Sequence, residues 1–406
     1  MTNTPLLPVE DAIARIGDAI KKLPIEFVPV ADSGGRVLAA PMIAALTQPP
    51  FDCSAMDGYA FRANDATTLP ASLTVIGESA AGKGFEGTVG VGDVVRIFTG
   101  ARVPTGADTV VMQENTDRDG DTLIIKEGVE LGRHIRAAGG DFIQGDSYLH
   151  EGKRLSSADV ALIAAMNVPN VPVFRKPKVA FFATGNELVR PGDTPGKDQI
   201  VSSNSAGLKA LIEEFGGEPI DLGIARDSEE SLREHATRGL DADLLISIGG
   251  ASVGDHDLVQ SVLGSMGLDV NFWRIAMRPG KPLIFGRLKD VPFIGLPGNP
   301  VSALVCGQLY VRAAIEKLLG RAAVHPPMMT ATVSSELDAN STRRSYLRAR
   351  LSKGAEGAWV ATPVNQQDSS MLSALSSSHC LIMREIDAPA APTGSAVPIV
   401  LLRMPD

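Results

Sequence analysis

The chain has 406 residues, 44% of them hydrophobic and 21% charged, and a formal net charge of −9. A chain of this length exceeds one ordinary core, so several domains are expected, and the composition is that of a folded protein. The acidic balance excludes general nucleic-acid binding, which needs a basic footprint.

Cys53, Cys306 and Cys380 stand far apart and the histidines are scattered, so the sequence spells out neither a disulfide framework nor a zinc site. No apolar run approaches the ~18 residues of a membrane span, and the N-terminus lacks the basic start and apolar core of a signal peptide. A cytoplasmic protein with no membrane partner is expected. In chain order, Ile13, Ile16, Ile20 and Leu23 recur at helical spacing behind Glu10 and Asp11, which predicts an amphipathic first helix. From about residue 27 to 147, short runs at 73–76, 94–98, 109–112 and 123–125 are separated by Gly, Asp and Pro and predict β structure. A helix follows over 156–166, capped by Ser156 or Ser157, and then Pro169, Pro172 and Pro177 read as a linker.

Beyond the linker the rhythm changes. Strands at 178–183, 218–222, 244–248, 271–275 and 292–296 alternate with helices at 206–215, 228–239, 257–266 and 300–319. That alternation predicts an α/β domain with a largely parallel sheet. A second proline break at Pro326 and Pro327 opens a final β-rich segment. The fold class expected is therefore α/β plus β, in several domains.

Four loops follow strands of the α/β region: Thr184-Gly185-Asn186-Glu187, Arg226-Asp227, the glycine-rich 249–257, and 297–303, which begins Pro-Gly-Asn-Pro. In such sheets ligands sit at the carboxyl ends of the strands, where these loops gather. Glu187, Asp227 and Asp257 place acids there, and Gly249-Gly250 lets backbone N–H groups come close to phosphate. Asn299 as N-cap with Pro300 at the first helical position predicts a helix N-terminus that favours an anion. Taken singly, each has a plain structural account: a tight turn, a capped helix start, a dipole partner for the next helix. Together with the basic clusters Arg274, Arg278, Lys281 and Arg343, Arg344, Arg348, Arg350, they suit a phosphate and a divalent cation.

Residues 297–303 and 249–257 resemble the signature loops of the molybdenum-cofactor-biosynthesis fold, which molybdopterin adenylyltransferases and molybdopterin molybdenumtransferases share. Ser54-Ala55-Met56-Asp57-Gly58-Tyr59-Ala60 resembles a hallmark of the molybdenumtransferases, as do Phe98-Thr99-Gly100-Ala101 and Gly106-Ala107-Asp108-Thr109-Val110-Val111. Without that resemblance, Asp57-Gly58 reads as a turn former at a hairpin corner. The likeness runs essentially from end to end and extends to the gephyrin E-domain-like proteins.

The resemblance implies a domain order. Residues 1–50 with 143–176 would form a discontinuous helical and linker domain, and 51–142 an inserted β-rich domain. Residues 177–324 would form a three-layer α/β/α molybdopterin-binding domain, and 325–406 a β-barrel-like domain. It implies a transferase that uses adenylylated molybdopterin and molybdate, releases AMP, and depends on magnesium (Mg2+). Asp227 and Asp257 would hold the metal, with Glu187 as a further ligand or as general base. Arg274, Arg278 and Lys281 would hold molybdate or the terminal phosphate. Gly249, Gly250, Ser252, Pro297, Gly298, Asn299, Ser302, Arg348 and Ser369 would complete the substrate contacts. Asp57, Thr99 and Asp141 would come from the β-rich side of a second subunit, in a homodimer with shared sites; for Asp141 a mere loop acid after Gly139-Gly140 is an equal reading. The adenylyltransferase and recipient molybdoenzymes are the implied protein partners.

Two features depart from the family pattern. Some relatives carry lysine where Arg274 and Arg278 stand. Residues 367–372 resemble a Gly-Ser-Gly-containing motif with Asp368 and Ser370 at the glycine positions, which sets an acid beside Ser369. Two rival functions have their own signatures. The adenylyltransferase needs only the α/β domain, and a non-catalytic scaffold usually carries extra linkers or interaction tails.

Overall fold

The computed structural model describes residues 6–128, 130–250, 258–321, 326–354 and 357–405. Helix α1 (Val9–Ala19) buries Ala12, Ile13 and Ile16 on one face, while Glu10 and Asp11 in its first turn complement the helix dipole. That buried face joins the main core of the α/β body rather than a separate N-terminal core.

Strand β1 (Ile25–Pro29) leads to the inserted domain, built from β2 (Gly58–Phe61), β3 (Ala71–Ser79), β4 (Asp93–Ile97), β5 (Thr109–Met112), β6 (Thr116–Asp119) and β7 (Thr122–Ile125). They make one six-stranded sheet in the order β5-β2-β4-β3-β7-β6, antiparallel except for the parallel pair β3–β4. Leu123 and Ile125 face inward and their neighbours outward, the period-two burial of a half-covered sheet.

Helix α2 (Ser157–Ala165) starts at Ser156, whose hydroxyl accepts from the Asp159 N–H while the Asp159 carboxylate accepts from the Ser156 N–H. This capping box satisfies two otherwise orphan donors. The proline-rich stretch after it is not a linker. It contains β8 (Asn170–Phe174), antiparallel to β1, with Pro172 opposite Phe27. Proline is tolerated at the outer edge of β8, where Pro172 only accepts, its carbonyl taking the Ala39 N–H at 3.0 Å.

The α/β body follows: β9 (Lys178–Thr184), α3 (Asn204–Glu214), β10 (Glu218–Ala225), α4 (Glu229–Arg238), β11 (Leu244–Ile248), α5 (Leu258–Ser265), β12 (Leu268–Trp273), a short β13 (Met277–Arg278), β14 (Ile284–Leu288), β15 (Val291–Leu296) and α6 (Pro300–Cys306). The chain then passes through one π-helical stretch, Gly307–Val311, into α7 (Arg312–Leu318). Sheet order is β10-β9-β11-β15-β14-β12. The pairs among β10, β9, β11 and β15 are parallel, whereas β14 and β12 add an antiparallel edge that periodicity did not predict.

Three layers arise from alternation along single strands. On β9, Val179, Phe181 and Ala183 pack toward α1, α3, α6 and α7, and Ala180 and Phe182 pack toward α4 and α5. Phe181 and Phe182 are both 0% exposed, so each contributes about 2–3 kcal/mol of apolar burial from opposite faces.

The C-terminal domain is a closed barrel of β16 (Met328–Val333), β17 (Arg344–Lys353), β18 (Trp359–Pro363), β19 (Cys380–Arg384) and β20 (Ala396–Leu401). Its order β17-β18-β16-β20-β19 is closed by β17–β19. Strand β13 of the α/β body pairs parallel with the start of β17, Met277 with Arg344 and Arg278 with Ser345. The backbone of Arg278 is thus held by the barrel.

Candidate active site

Two adjoining clefts occupy the carboxyl rim of the parallel strands and the seam with the barrel. The rim cleft, about 660 Å³, is lined by Thr184, Glu187, Asn204, Gly249, Gly250 and the stretch 297–300. Gly249 has φ of +93°, and a Cβ there would stand 2.8 Å from Thr184 Oγ1. A side chain on Gly250 would strike Val259 Cγ2 at 2.1 Å. Only glycine fits at these two positions, so close to Thr184 and Val259.

The first two loops are tied to each other. The Asn186 N–H donates to Asp227 Oδ2 and the Asp227 N–H to Asn186 Oδ1, both at 3.2 Å. Glu187 faces the rim cleft, and Asp227, committed to Asn186, does not line it. Ser252 and Asp257 lie outside the described residues. Among the described residues no three of His, Cys, Asp and Glu come together as a metal site, so Glu187 and Asp227 alone do not fit a magnesium ion.

The fourth loop departs from expectation. Asn299 sits at the N-cap position of α6 with extended backbone, yet its side chain makes no cap. Its Nδ2 donates instead to Ser369 Oγ at 3.1 Å, and the Val301 N–H donates to the Ser369 carbonyl at 3.0 Å. Since Pro300 has no N–H, the barrel loop occupies the terminus that was expected to bind an anion. Asn204, at the start of α3, donates from Nδ2 to the Gly298 carbonyl at 2.7 Å, while its Oδ1 is buried without a partner. This residue was missed; the signal was the run Ser202-Ser203-Asn204-Ser205, rich in helix-start residues.

The seam cleft, about 800 Å³, brings Arg278, Lys281 and Ser302 from the α/β body against Arg348, Asp368 and Ser369 from the barrel. Pro282 lines both clefts, and the Ser369–Asn299 contact lies between them. Arg348 is 1% exposed; its Nη2 donates to the carbonyls of Gln366 and Asp368, and its Nε has no partner. Burial pushes its guanidinium pKa down, partly offset by Asp368. The Gln367 side chain clamps the same strand, accepting from the Arg348 N–H and donating to the Arg348 carbonyl, each at 3.0 Å.

Not every basic residue arrives at this seam. Arg274 lines neither cleft: it has φ of +74°, and its guanidinium lies 3.9 Å over the Trp273 ring. Arg344 turns away to Glu10 and Glu385, and Arg350 faces a separate cleft, whereas Arg343 and Arg384 join the seam.

In the inserted domain, Asp57 Oδ1 accepts from both the N–H and the hydroxyl of Thr99. These two bonds hold its carboxyl below the usual carboxylate range, the backbone one most. Arg96 stacks between Tyr59 and Phe98 and donates to the Gly58 carbonyl, which stiffens the bend that carries Asp57. Asp141 stands apart from this pair. Its N–H bonds the Gln48 carbonyl, and the ladder from there runs through Cys53–Arg136 and Ser54–Ile135 before Asp57 is reached. Asp57, Thr99 and Asp141 line neither cleft of their own chain.

Three family models match the chain: the MoeA N-terminal region (domain I and II) over residues 7–167, the probable molybdopterin binding domain over 180–317, and the MoeA C-terminal region (domain IV) over 330–402. A Nostoc sp. protein named molybdopterin molybdenumtransferase is 38% identical over 85% of this chain and 82% of its own length. A Haemophilus influenzae protein of the same name is 37% identical over 92% of this chain and 93% of that one. The crystal structure of a molybdopterin biosynthesis MoeA protein from Pyrococcus horikoshii OT3 matches with a TM-score of 0.84 and 30% identity, over 98% of this chain and all of that one. Family models, named relatives and fold thus agree along nearly the whole length: the chain belongs to the MoeA family of molybdopterin molybdenumtransferases.

Proposed function

We propose that this chain transfers molybdenum into molybdopterin, taking adenylylated molybdopterin and molybdate and releasing AMP. The observation that carries the reading is the pair of adjoining clefts, one lined by glycine backbone, small polar groups and Glu187, the other holding a cluster of cations around buried Arg348. The rim cleft suits the extended nucleotide and pterin, with Gly249, Gly250, Pro297, Gly298 and Asn299 offering close backbone approach. In the seam cleft Arg278, Lys281, Ser302, Arg348 and Ser369 suit a tetrahedral oxyanion, molybdate or a terminal phosphate. A substrate spanning both clefts would be held at two points, and orientation is where such a site gains most of its rate.

Within this reading Glu187 is the rim carboxylate that faces substrate, as ligand or general base, and Asp227 fixes the loop beside it. Magnesium dependence belongs to the proposal through Asp227 and Asp257, with Glu187 as a third acid. A homodimer does too. Asp57, Thr99 and Asp141 stand outside both clefts of their own chain, which suits delivery from a second subunit. A cytoplasmic location, the adenylyltransferase and recipient molybdoenzymes complete it. No helix among the described residues is long and apolar enough to cross a membrane.

Incubating the purified protein with adenylylated molybdopterin and molybdate tests the proposal. AMP release that requires molybdate is the expected result. Consumption of ATP with molybdopterin, or no turnover of either kind, would replace it with the adenylyltransferase or the scaffold reading.

A further inference from the structure

Three carboxylates, Glu336, Asp338 and Asp368, line the seam cleft with its cations, and Asp368 belongs to the loop whose carbonyls hold Arg348. Asp368 Oδ1 accepts from the Ser370 N–H at 2.8 Å and from the Ser370 hydroxyl at 2.6 Å, closing a tight side-chain turn. The Asp368 backbone carbonyl, not its carboxylate, accepts from Arg348 Nη2 at 3.1 Å. Arg348 therefore stays buried with a free Nε while a negative charge lines the same cleft, unneutralised by contact. The turn itself needs only an acceptor oxygen, which asparagine supplies as well as aspartate. The charge partly offsets the burial of Arg348, and it stands where it opposes any anion that Arg278, Lys281 and Arg348 attract.

We propose that Asp368 is a specificity-determining residue, a charge filter that makes the seam cleft penalise dianions more than monoanions of the same shape. The inference rests on the oxyanion-binding reading of this cleft given above. Coulomb energy scales with the product of the charges, so a fixed carboxylate costs a dianion twice what it costs a monoanion. The two donors from Ser370 keep the carboxyl ionised at and below neutral pH, so the penalty is present throughout the physiological range. Positive charge in the cleft supplies affinity, and Asp368 sets how steeply that affinity depends on ligand charge.

Tungstate and perrhenate, tetrahedral oxyanions of similar size that differ in charge, are the probes. Each is titrated calorimetrically into the full chain at about 50 mM salt, where charges in the cleft are little screened. Asp368→Asn keeps the turn and should tighten tungstate about tenfold and perrhenate about threefold. Arg348→Gln should weaken both. Unchanged or weakened tungstate binding in Asp368→Asn overturns the filter, as does equal tightening of the two anions. Asp368→Asn introduced on Arg348→Gln should again tighten tungstate more than perrhenate, and equal effects on the two anions there also overturn it. If neither the wild type nor Asp368→Asn binds an oxyanion, the reading of the cleft fails and the filter goes with it. Because the expected change is a gain of affinity, loss of fold cannot imitate it.

Discussion

The N–H and the hydroxyl of Thr99 both donate to the same oxygen of Asp57, each at 2.7 Å, across 42 residues of sequence. Thr99→Val removes the hydroxyl donor and leaves the backbone one. The Asp57 carboxyl pKa should then rise part of the way toward its ordinary value, followed by carbon NMR of labelled aspartate. A titration curve that does not move would show that the hydroxyl contributes nothing to holding this carboxylate ionised.

Asn299 and Ser369 connect the α/β body to the barrel, so their substitutions should not be independent. Asn299→Ala and Ser369→Ala should each cost about 0.5–1.5 kcal/mol, and the double variant should cost less than their sum. Additive losses in urea unfolding would mean that the side chains do not interact in solution. A helix cap formed by Asn299 alone would give that additive result.

Asp159 couples the start of α2 to pH. The Lys153 ammonium and the two Ser156 donors lower its carboxyl from 3.8 to about 2 despite burial. A carboxyl depressed in the folded state stabilises fully above its unfolded value and loses that contribution as pH falls through its folded one. Hydrogen exchange in α2 should therefore be faster in Asp159→Asn than in the wild type at pH 6, with the difference vanishing toward pH 2. Ser156→Ala, which breaks the capping box, should cost about 1 kcal/mol. A wild-type advantage that persists unchanged at pH 2 would refute the assignment.

The proposed sharing of sites between subunits predicts complementation. Asp57→Ala and Glu187→Ala proteins, each inactive alone, should regain activity when mixed under conditions of subunit exchange. With random exchange about half the dimers are mixed, and each has one site with both lesions and one with neither, so about a quarter of wild-type activity should return. Exchange is verified by co-purification of a tagged partner. Complete exchange without recovery means that the two residues serve the same site within one chain.

What the sequence determined by itself is local in physical origin. Helical spacing in α1, the capping residue Ser156, and strand runs such as Thr109–Met112 and Leu244–Ile248 each depend on neighbours a few residues away, and the structure keeps them, although α1 ends at Ala19, short of Ile20 and Leu23. The loops of the candidate site were legible for the same reason, since glycine, proline and acid after a strand carry their chemistry with them. The tertiary structure decided what depends on distant partners. The linker prolines became β8 because β1 lies alongside, and the antiparallel edge β14–β12 exists only through pairing with β15. Arg274 and Arg278 are near neighbours in sequence, yet a left-handed backbone turns one onto Trp273 while the barrel draws the other into the seam. Asn299 left its expected cap because Ser369, 70 residues away, offers its side chain a partner and the helix N-terminus a carbonyl. A local pattern fixes which groups are present, but burial and long-range pairing settle which of them meet, because a polar group takes whichever partner removes it from water at least cost.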